Sequence, residues 1–342
     1  MSPVLRLALG LLLLLGSAAR SPAQTLDAEN FVLGQVARLD LAGAPPFASV
    51  LWLYSLQGAG AGTCYPSVNL CLGIEEPVTL AAIGSASGAG EASYLVYVPP
   101  SLPLLDLHLQ AVTLDYSSGV SLLASNVVST TLAEVSAYDD AFDGGSLDAQ
   151  WQILNPAAAQ VTVGGGQLVL EPILSGPAAT WFDDGEGVFV HREITGDFSV
   201  TATVRSSSPA DPMLPPPPAY RLGGLLVRDP GGTPGNRNSA HVAFGSGPAN
   251  NPVGVEHKTT TASVSSFTIV PTAEAAGQLR ITRSGAMIGL HHRGDASQPW
   301  TTLATYAHPE FPPTVQVGMM SYSFGVPAQI VTRFDEVVFE AN

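Results

Sequence analysis

Apolar and polar residues alternate with a period of two along many short stretches of this chain, and no stretch keeps a helical period. Residues 198–204 are a clear case, because Phe, Val, Ala and Val alternate there with Ser, Thr and Thr. Such alternation is typical of an antiparallel strand with one buried face and one wet face. Turns rich in Gly, Ser and Pro separate these runs. The sequence therefore predicts an all-β protein.

The candidate strands fall into two groups. In residues 24–133, six or seven short strands within about 100 residues predict a small immunoglobulin-like β-sandwich. Residues 134–137 are interpreted as a short linker. Residues 138–342 contain about a dozen candidate strands, which favour two large packed antiparallel sheets, a jelly roll.

Residues 1–23 are typical of a secretory signal peptide. Arg6 precedes the apolar run Leu7 to Leu15, and small residues at 21–23 form a candidate cleavage site. A membrane anchor is the alternative, but a span needs about 20 apolar residues and this run is shorter. We therefore expect a protein that is secreted or displayed on the cell surface, with no insertion into the membrane.

The two cysteines, Cys64 and Cys71, lie close together and are separated by turn-forming residues. In an exported protein such a pair is expected to form a disulfide. A metal-binding pair and two free thiols are the alternatives, and no histidine nearby supports the first of them.

Charge excludes two classes of function. The chain has 28 Asp and Glu against 13 Lys and Arg, a formal charge of −15, which repels nucleic-acid phosphates. Because 46% of residues are hydrophobic and only 12% are charged, an acidic disordered tail is also excluded.

Several motifs in the second group of strands follow one another in a recognisable order. They include DDAFDGGSLDAQW at 139–151, TWFDDGEGVFVHREITGDFSVTATV at 180–204 and RFDEVVFE at 333–340. With these motifs, residues 138–341 resemble the concanavalin A-like lectin and glucanase sandwich family, in particular uncharacterised bacterial modules found beside secreted glycosidases. The resemblance implies a concanavalin A-like antiparallel jelly roll.

The same resemblance bears on metal binding, because sandwiches of this type often hold a structural calcium where the two ends of the domain meet. Four aspartates at the ends of the second group are candidate ligands: Asp139, Asp140, Asp143 and Asp335. A solvated acidic patch is the alternative. No cofactor is expected to be required.

Catalysis is not expected from the sequence. Glycoside hydrolysis needs two carboxylates at a fixed separation, and catalytic relatives carry them as Glu-x-Asp-x-x-Glu on one strand. That string is absent, and Asp335, Glu336 and Glu340 have the wrong spacing. No Gly-x-Ser-x-Gly elbow and no His-x-x-x-His or Cys-x-x-Cys pair is present.

Sugar recognition is the favoured hypothesis. Aromatic rings stack on the flat apolar patches of sugars while polar groups bind hydroxyls. The candidate rings are Trp181, Phe182, Tyr220 and His241, and the candidate polar partners are Arg228 and Asn236 or Asn238. Whether Trp181 is exposed or packs in the core is left open.

We therefore expect an exported, non-catalytic protein that binds a glycan or another extracellular polymer through residues 138–342. A structural or adhesive surface protein is the alternative, and a divergent glycoside hydrolase is the third hypothesis. The sequence does not specify an oligomeric state.

Overall fold

The computed structural model describes residues 24–116, 120–248 and 253–341. The chain divides into two compact units, residues 1–137 and residues 138–342. The all-β prediction is confirmed, since the described elements are strands apart from short 3₁₀ turns. The predicted signal peptide lies outside the described residues. Within those residues, we find no helix with the length and apolar character needed to cross a membrane.

The first unit is a sandwich of a three-stranded and a five-stranded sheet, with a small hairpin added. Its strands are β1 (Thr25–Glu29), β2 (Val36–Ala42), β3 (Ser49–Ser55), β4 (Cys64–Tyr65), β5 (Leu70–Cys71), β6 (Thr79–Ser85), β7 (Ala92–Tyr97), β8 (Asp106–Asp115), β9 (Ser121–Ala124) and β10 (Val128–Thr131). One sheet has the order β1-β2-β7. The other has the order β10-β8-β3-β6, with β9 also paired to β8. Leaving aside the hairpin and β9, this is the immunoglobulin-like division of strands between two sheets.

The two sheets of the first unit bury one apolar core. Alternate residues of β2 and β3 point into it, among them Leu39, Leu41, Val50 and Trp52. The Trp52 ring stacks on Tyr94 of the opposite sheet, with ring centroids 6.0 Å apart. The period-two pattern of the sequence therefore positions this core.

The hairpin β4-β5 carries the predicted disulfide, and that prediction is confirmed. Cys64 and Cys71 face each other across the hairpin and are bonded. The 3₁₀ turn Pro66–Val68 joins its strands, and Asn69 closes the turn in the left-handed conformation with φ 50°. Leu70 and Ile74 pack with Leu53 in a second, smaller apolar cluster, so the hairpin segment is tied to the sandwich.

The second unit contains two seven-stranded antiparallel sheets. Its strands are β11 (Gln152–Leu154), β12 (Ala159–Val163), β13 (Leu168–Pro172), β14 (Val188–Thr195), β15 (Phe198–Ser207), β16 (Arg221–Arg228), β17 (Ser239–Ser246), β18 (Gly254–Thr261), β19 (Val264–Pro271), β20 (Ala276–Ser284), β21 (Met287–Arg293), β22 (Thr301–Ala307), β23 (Thr314–Ser323) and β24 (Val331–Ala341). The 3₁₀ turns of this part of the chain are Val135–Tyr138, Pro156–Ala158 and Pro177–Ala179. We call β11-β14-β23-β16-β17-β18-β19 the front sheet and β12-β13-β24-β15-β20-β21-β22 the back sheet.

The core of the second unit lies between these sheets. Phe198, Val200 and Leu279 of the back sheet are fully buried, as are Leu225 and Val242 of the front sheet. The beginning of the unit joins its end, because Asp140 forms an antiparallel bridge with Val337. The predicted jelly-roll architecture is thus realised as two stacked antiparallel sheets.

Sequence periodicity missed three strands of the second unit, β11, β12 and β18. Strand β18 reads GVEHKTTT, and its polar residues Glu256, Lys258 and Thr260 are buried on the same face. An apolar-polar alternation cannot reveal a strand whose buried side chains are polar. In the first unit, one strand expected from residue 120 to residue 131 is two short strands, β9 and β10.

Candidate functional site

The outer face of the front sheet, turned away from the back sheet, is largely buried. Ser321 of β23 bonds Thr332 of the back sheet, with 2.8 Å between the hydroxyl oxygens, so its neighbours Met320 and Tyr322 point to the outer side. Those two side chains belong to an apolar cluster with Phe189 and Trp181. A sheet face this apolar needs a cover, and the chain supplies one.

The cover is the segment between β13 and β14, residues 173–187, which we call the covering loop. Trp181 at its centre packs edge-on against Phe189, with ring centroids 5.6 Å apart. Polar contacts fasten the loop: the Asp183 amide donates to Ser265 Oγ at 2.7 Å, and Arg228 Nη1 pairs with Glu186 Oε1 at 2.6 Å. Arg237 pairs with the same Glu186 oxygen. These contacts fix the part of the covering loop that follows Trp181 against the front sheet.

Beside the covering loop, the sheet face remains open as a pocket with a volume of about 280 Å³. Its lining combines residues of the covering loop and the front sheet with the residue before β16 and the residue after β23. The lining residues are Pro177, Thr180, Phe182, Tyr220, Glu256, Lys258, Phe267, Tyr322 and Phe324. Three edge-to-face contacts link the rings, Phe182–Phe267 at 6.0 Å, Tyr220–Phe267 at 5.8 Å and Tyr220–Phe324 at 6.2 Å between centroids. An aromatic wall thus surrounds a polar group.

That polar group is the carboxylate of Glu256, which is completely buried. Its Oε1 atom accepts hydrogen bonds from Tyr322 OH at 2.7 Å and from His241 Nε2 at 2.8 Å, and Lys258 Nζ lies 3.0 Å away. The other oxygen, Oε2, has no hydrogen-bond partner among the described residues. A buried carboxylate oxygen without a donor is costly, so this atom keeps an unused capacity to accept a hydrogen bond.

The network sets the protonation state of its members. Burial alone would raise the pKa of Glu256, but the Lys258 charge and the hydrogen bonds from His241 and Tyr322 outweigh it and hold that pKa at about 2. Burial, reinforced by the Lys258 charge, lowers the pKa of His241 to about 4. At neutral pH Glu256 is therefore ionised and His241 is neutral. Since an ionised carboxylate only accepts, the His241 proton is on Nε2.

Lys258 is the only lysine of the chain, and its side chain is 4% exposed. Its Nζ donates to the Trp181 carbonyl at 3.2 Å and lies 5.4 Å and 5.3 Å from the ring centroids of Phe182 and Phe267. It therefore neutralises Glu256, ties the covering loop to β18 and contributes cation–π contacts to the aromatic wall.

Backbone conformation places Tyr220 at the mouth of the pocket. Ala219 and Tyr220 both have positive φ, 100° and 51°, which is unfavourable for residues with a Cβ. The chain around β23 maintains this conformation, because the Phe324 and Gly325 amides donate to the Tyr220 and Ala219 carbonyls at 3.0 Å. The strained turn thus presents one aromatic ring of the wall.

The structure distributes the six predicted ligand-binding residues unequally. Phe182 and Tyr220 line the pocket, whereas Trp181, at 5% exposure, and His241, at 1%, are buried behind it. The structure places the other two predicted residues, Arg228 and Asn236, away from the pocket lining. Arg228 is buried in its pair with Glu186. Asn236 lies in an exposed turn, where its backbone N–H donates to the Thr233 carbonyl at 2.8 Å. Trp181 therefore packs against the front sheet and is not exposed.

The four candidate calcium ligands lie near the junction of the two ends, but they are already hydrogen-bonded or dispersed. Asp139 Oδ1 accepts from the Phe339 amide at 2.7 Å, and Asp140 accepts from the Phe142 amide at 2.7 Å and from Trp151 Nε1 at 2.8 Å. The other two side chains, Asp143 and Asp335, are exposed. In residues 24–116, 120–248 and 253–341, no group of three or more His, Cys, Asp or Glu side chains is placed to hold a metal ion. Calcium binding stays a prediction.

Sequence reasoning missed the centre of the site. Glu256, Lys258, Phe267, Tyr322 and Phe324 meet only because β18, β19 and β23 are brought together by the front sheet. The one signal in the sequence is Lys258 itself, because a single lysine two residues from a glutamate in a strand places both on one sheet face.

Comparison with known proteins gives similarity of structure and not of family. No protein-family model and no curated protein matches the chain. Among solved structures, the GH43 BlXynB protein from Bacillus licheniformis is 11% identical with a TM-score of 0.46, over 96% of this chain and 66% of that one. Lectin I-B4 from Griffonia simplicifolia is 12% identical with a TM-score of 0.40, over 57% of this chain and 94% of that one. A pseudo beta-1,3-glucanase of Mycobacterium tuberculosis is 15% identical with a TM-score of 0.39, over 60% of this chain and 98% of that one.

One expectation is corrected by these similarities. The sequence was expected to encode a non-enzyme, yet several of the similar structures are GH43 proteins, at 11–14% identity. The expectation of a non-enzyme is therefore not supported. The fold assignment itself depends on the strand order and pairing of this chain.

Proposed function

We propose that the second unit binds carbohydrate in the pocket beside the covering loop. The observation that supports this most directly is the free Oε2 atom of Glu256, a fully buried carboxylate oxygen in an aromatic-lined pocket. A sugar offers both groups that such a pocket requires, a hydroxyl to donate to the oxygen and a C–H face to pack on the rings.

Charge favours an uncharged sugar. Glu256 and Lys258 lie 3.0 Å apart and cancel, and His241 is neutral because burial lowers its pKa to about 4. The pocket therefore has little net charge to attract an ion. A neutral hydroxyl approaching Oε2 adds a hydrogen bond to an ionised acceptor, which is stronger than a bond between neutral groups.

The pocket size favours a small part of a glycan. Its volume of about 280 Å³ is just below the range for ligand sites, which are clefts of roughly 300–1,000 Å³. The covering loop, Tyr220 and Phe324 all contribute to its lining. We therefore propose recognition of one or two sugar units.

The test is a screen of the full chain on an array of neutral glycans, followed by calorimetry with the ligands found. We expect Phe182→Ala combined with Phe267→Ala to weaken binding at least about tenfold, which corresponds to roughly 1.4 kcal/mol of lost ring contact. Both rings are partly exposed, so their removal leaves the core intact. Phe47→Ala, an exposed phenylalanine of the first unit, is the matched control and should bind as the unaltered chain does.

Glu256→Gln tests the carboxylate separately. It keeps the side-chain shape but replaces the free ionised oxygen, so we expect weaker binding of the same ligands, with circular dichroism confirming that the variant is folded. Binding of no neutral glycan by the unaltered chain, or equal binding by the double phenylalanine variant, would refute the proposal.

A further inference from the structure

We propose a second binding site on the outer face of the back sheet, formed by Arg280, Arg293 and Trp300 and specific for the carboxylate or sulfate group of an anionic polysaccharide. It lies on the opposite sheet from the pocket and does not depend on the function proposed there.

The site is a pair of guanidinium groups on one indole ring. The Cζ atoms of Arg280 and Arg293 lie 4.4 Å and 4.3 Å from the Trp300 ring centroid. The two charged groups are therefore no farther apart than the sum of those distances. Contacts this short hold guanidinium groups in place by cation–π attraction.

Both arginines are anchored in a way that leaves donors free. Nε of Arg280 donates to Thr201 Oγ1 at 3.0 Å, and Nε of Arg293 donates to Gln278 Oε1 at 2.7 Å. Nη1 of Arg280 and Nη2 of Arg293 make no hydrogen bond within the part of the chain that is described. The pair thus offers two ordered, unused donor groups, the arrangement that carboxylate and sulfate oxygens bind.

The carboxylates near the pair are exposed ones. No acidic group lies within 4.0 Å of Arg293 among the described residues, although its charge helps to lower the pKa of the exposed Asp295, and Arg280 has only Glu340, at 3.5 Å and 58% exposed. Burial lowers the pKa of Arg280; Glu340 raises it, and the nearby charge of Arg293 lowers it further. A bound anion would relieve that repulsion.

The surrounding surface favours a polysaccharide as the source of the anion. Strand pairing places Thr201, His291 and Thr302 in line with Arg280, and Thr203 and Gln278 in line with Arg293. This hydroxyl- and amide-bearing face can bind the hydroxyls of an extended sugar chain. Nucleic acid is disfavoured, because its charge density, about one phosphate per 1.7 Å, meets the repulsion of the whole acidic protein.

The experiment is affinity electrophoresis of the full chain through gels containing polygalacturonate, dextran sulfate, neutral dextran or polyphosphate. We expect retardation by the first two at low salt, decreasing as salt rises. Retardation by only one of them would identify carboxylate or sulfate as the group bound. The Arg280→Gln and Arg293→Gln double variant should lose at least tenfold in affinity, whereas Arg205→Gln, a back-sheet arginine near the exposed Glu274, should lose less than twofold.

Several results would overturn the proposal. One is the absence of retardation by either anionic polysaccharide, and another is equal retardation of the double variant and the unaltered chain. A third is equal retardation by polyphosphate and by the polysaccharides, which would show that the sugar is not recognised. Trp300→Phe adds a milder variant that keeps a ring under the arginines, and it should bind more weakly than the unaltered chain but more tightly than the double variant. Binding of neutral glycans in the front-sheet pocket should be unchanged in all of these variants, so the two proposals fail independently.

Discussion

Both units contain an open pocket of about 280 Å³, but the two pockets have opposite chemistry. In the first unit the lining is aliphatic and aromatic, with Trp52, Tyr54 and Tyr94 among its residues and no charged side chain. In the second unit Glu256 and Lys258 lie at the sheet surface inside an aromatic wall. Equal volume therefore says little about function. The converging polar groups make the second pocket the better candidate for specific binding.

The same contrast extends to the interiors. The first unit is built on an apolar core, and its one histidine, His108, is half-buried and bonds the exposed Ser129 hydroxyl at 2.8 Å. The second unit buries Glu256, Lys258 and His241 together, and it also buries His191. The second unit should therefore respond to pH and to the loss of one charge in ways that the first does not.

Acidification should have the largest effect. Burial lowers the pKa of His241 to about 4, together with the Lys258 charge, and lowers that of His191 to about 4, together with the Arg228 charge. Both groups are neutral when folded but take up a proton on unfolding below about pH 6.5. The two histidines therefore do not reduce the free energy of unfolding above pH 6.5. As the pH falls from 6.5 towards 4, each of them lowers that free energy by up to roughly 1.4 kcal/mol per pH unit.

Peptide-resolved hydrogen exchange on the full chain between pH 7 and pH 4, corrected for intrinsic rates, would measure this for each unit. His241→Gln should reduce the pH dependence of the second unit only, and His191 should account for the part that remains. Equal loss of protection in both units would contradict the comparison.

Removal of the buried cation comes next. Lys258→Met leaves the Glu256 carboxylate buried without its counter-charge, and such a loss costs about 3–5 kcal/mol. Chemical denaturation followed by fluorescence and hydrogen exchange would locate the change in the second unit. Combining the change with Glu256→Gln should recover part of the loss. The matched control is Arg38→Gln in the exposed Arg38–Asp40 pair of the first unit, which should cost less than about 1 kcal/mol. A similar cost for the two cations would refute the distinction.

The disulfide gives the smallest of these effects, and here the first unit is the sensitive one. The Cys64–Cys71 ring is short, with a sequence separation of 7, so Cys64→Ser with Cys71→Ser should destabilise the first unit by about 2–3 kcal/mol. Protection of the second unit should not change. We would measure both by hydrogen exchange with and without reductant, and a loss confined to the second unit would contradict the assignment.

Sequence patterns located most of the strands whose buried side chains are apolar, although the short strands β11 and β12 were missed. Strands β15 and β16 follow the expected segments closely, because Phe198 and Leu222 begin regular buried series. Strand β18 escaped because its buried series is Glu256, Lys258 and Thr260. The candidate site was predicted only in part for the same reason: Phe182 and Tyr220 are on its wall, while its charged centre lies on the strand that was missed.

By itself, the sequence determined the all-β class, the two groups of strands and the Cys64–Cys71 pair, because period-two alternation and turn residues act over a few neighbouring positions. Only the tertiary structure decided where Trp181 points and which residues surround Glu256. Those contacts join residues 77 positions apart, as between Lys258 and the Trp181 carbonyl, and 66 apart, as between Tyr322 and Glu256. The order of strands in the front sheet decides which of these distant residues meet. Local alternation contains no information about that order.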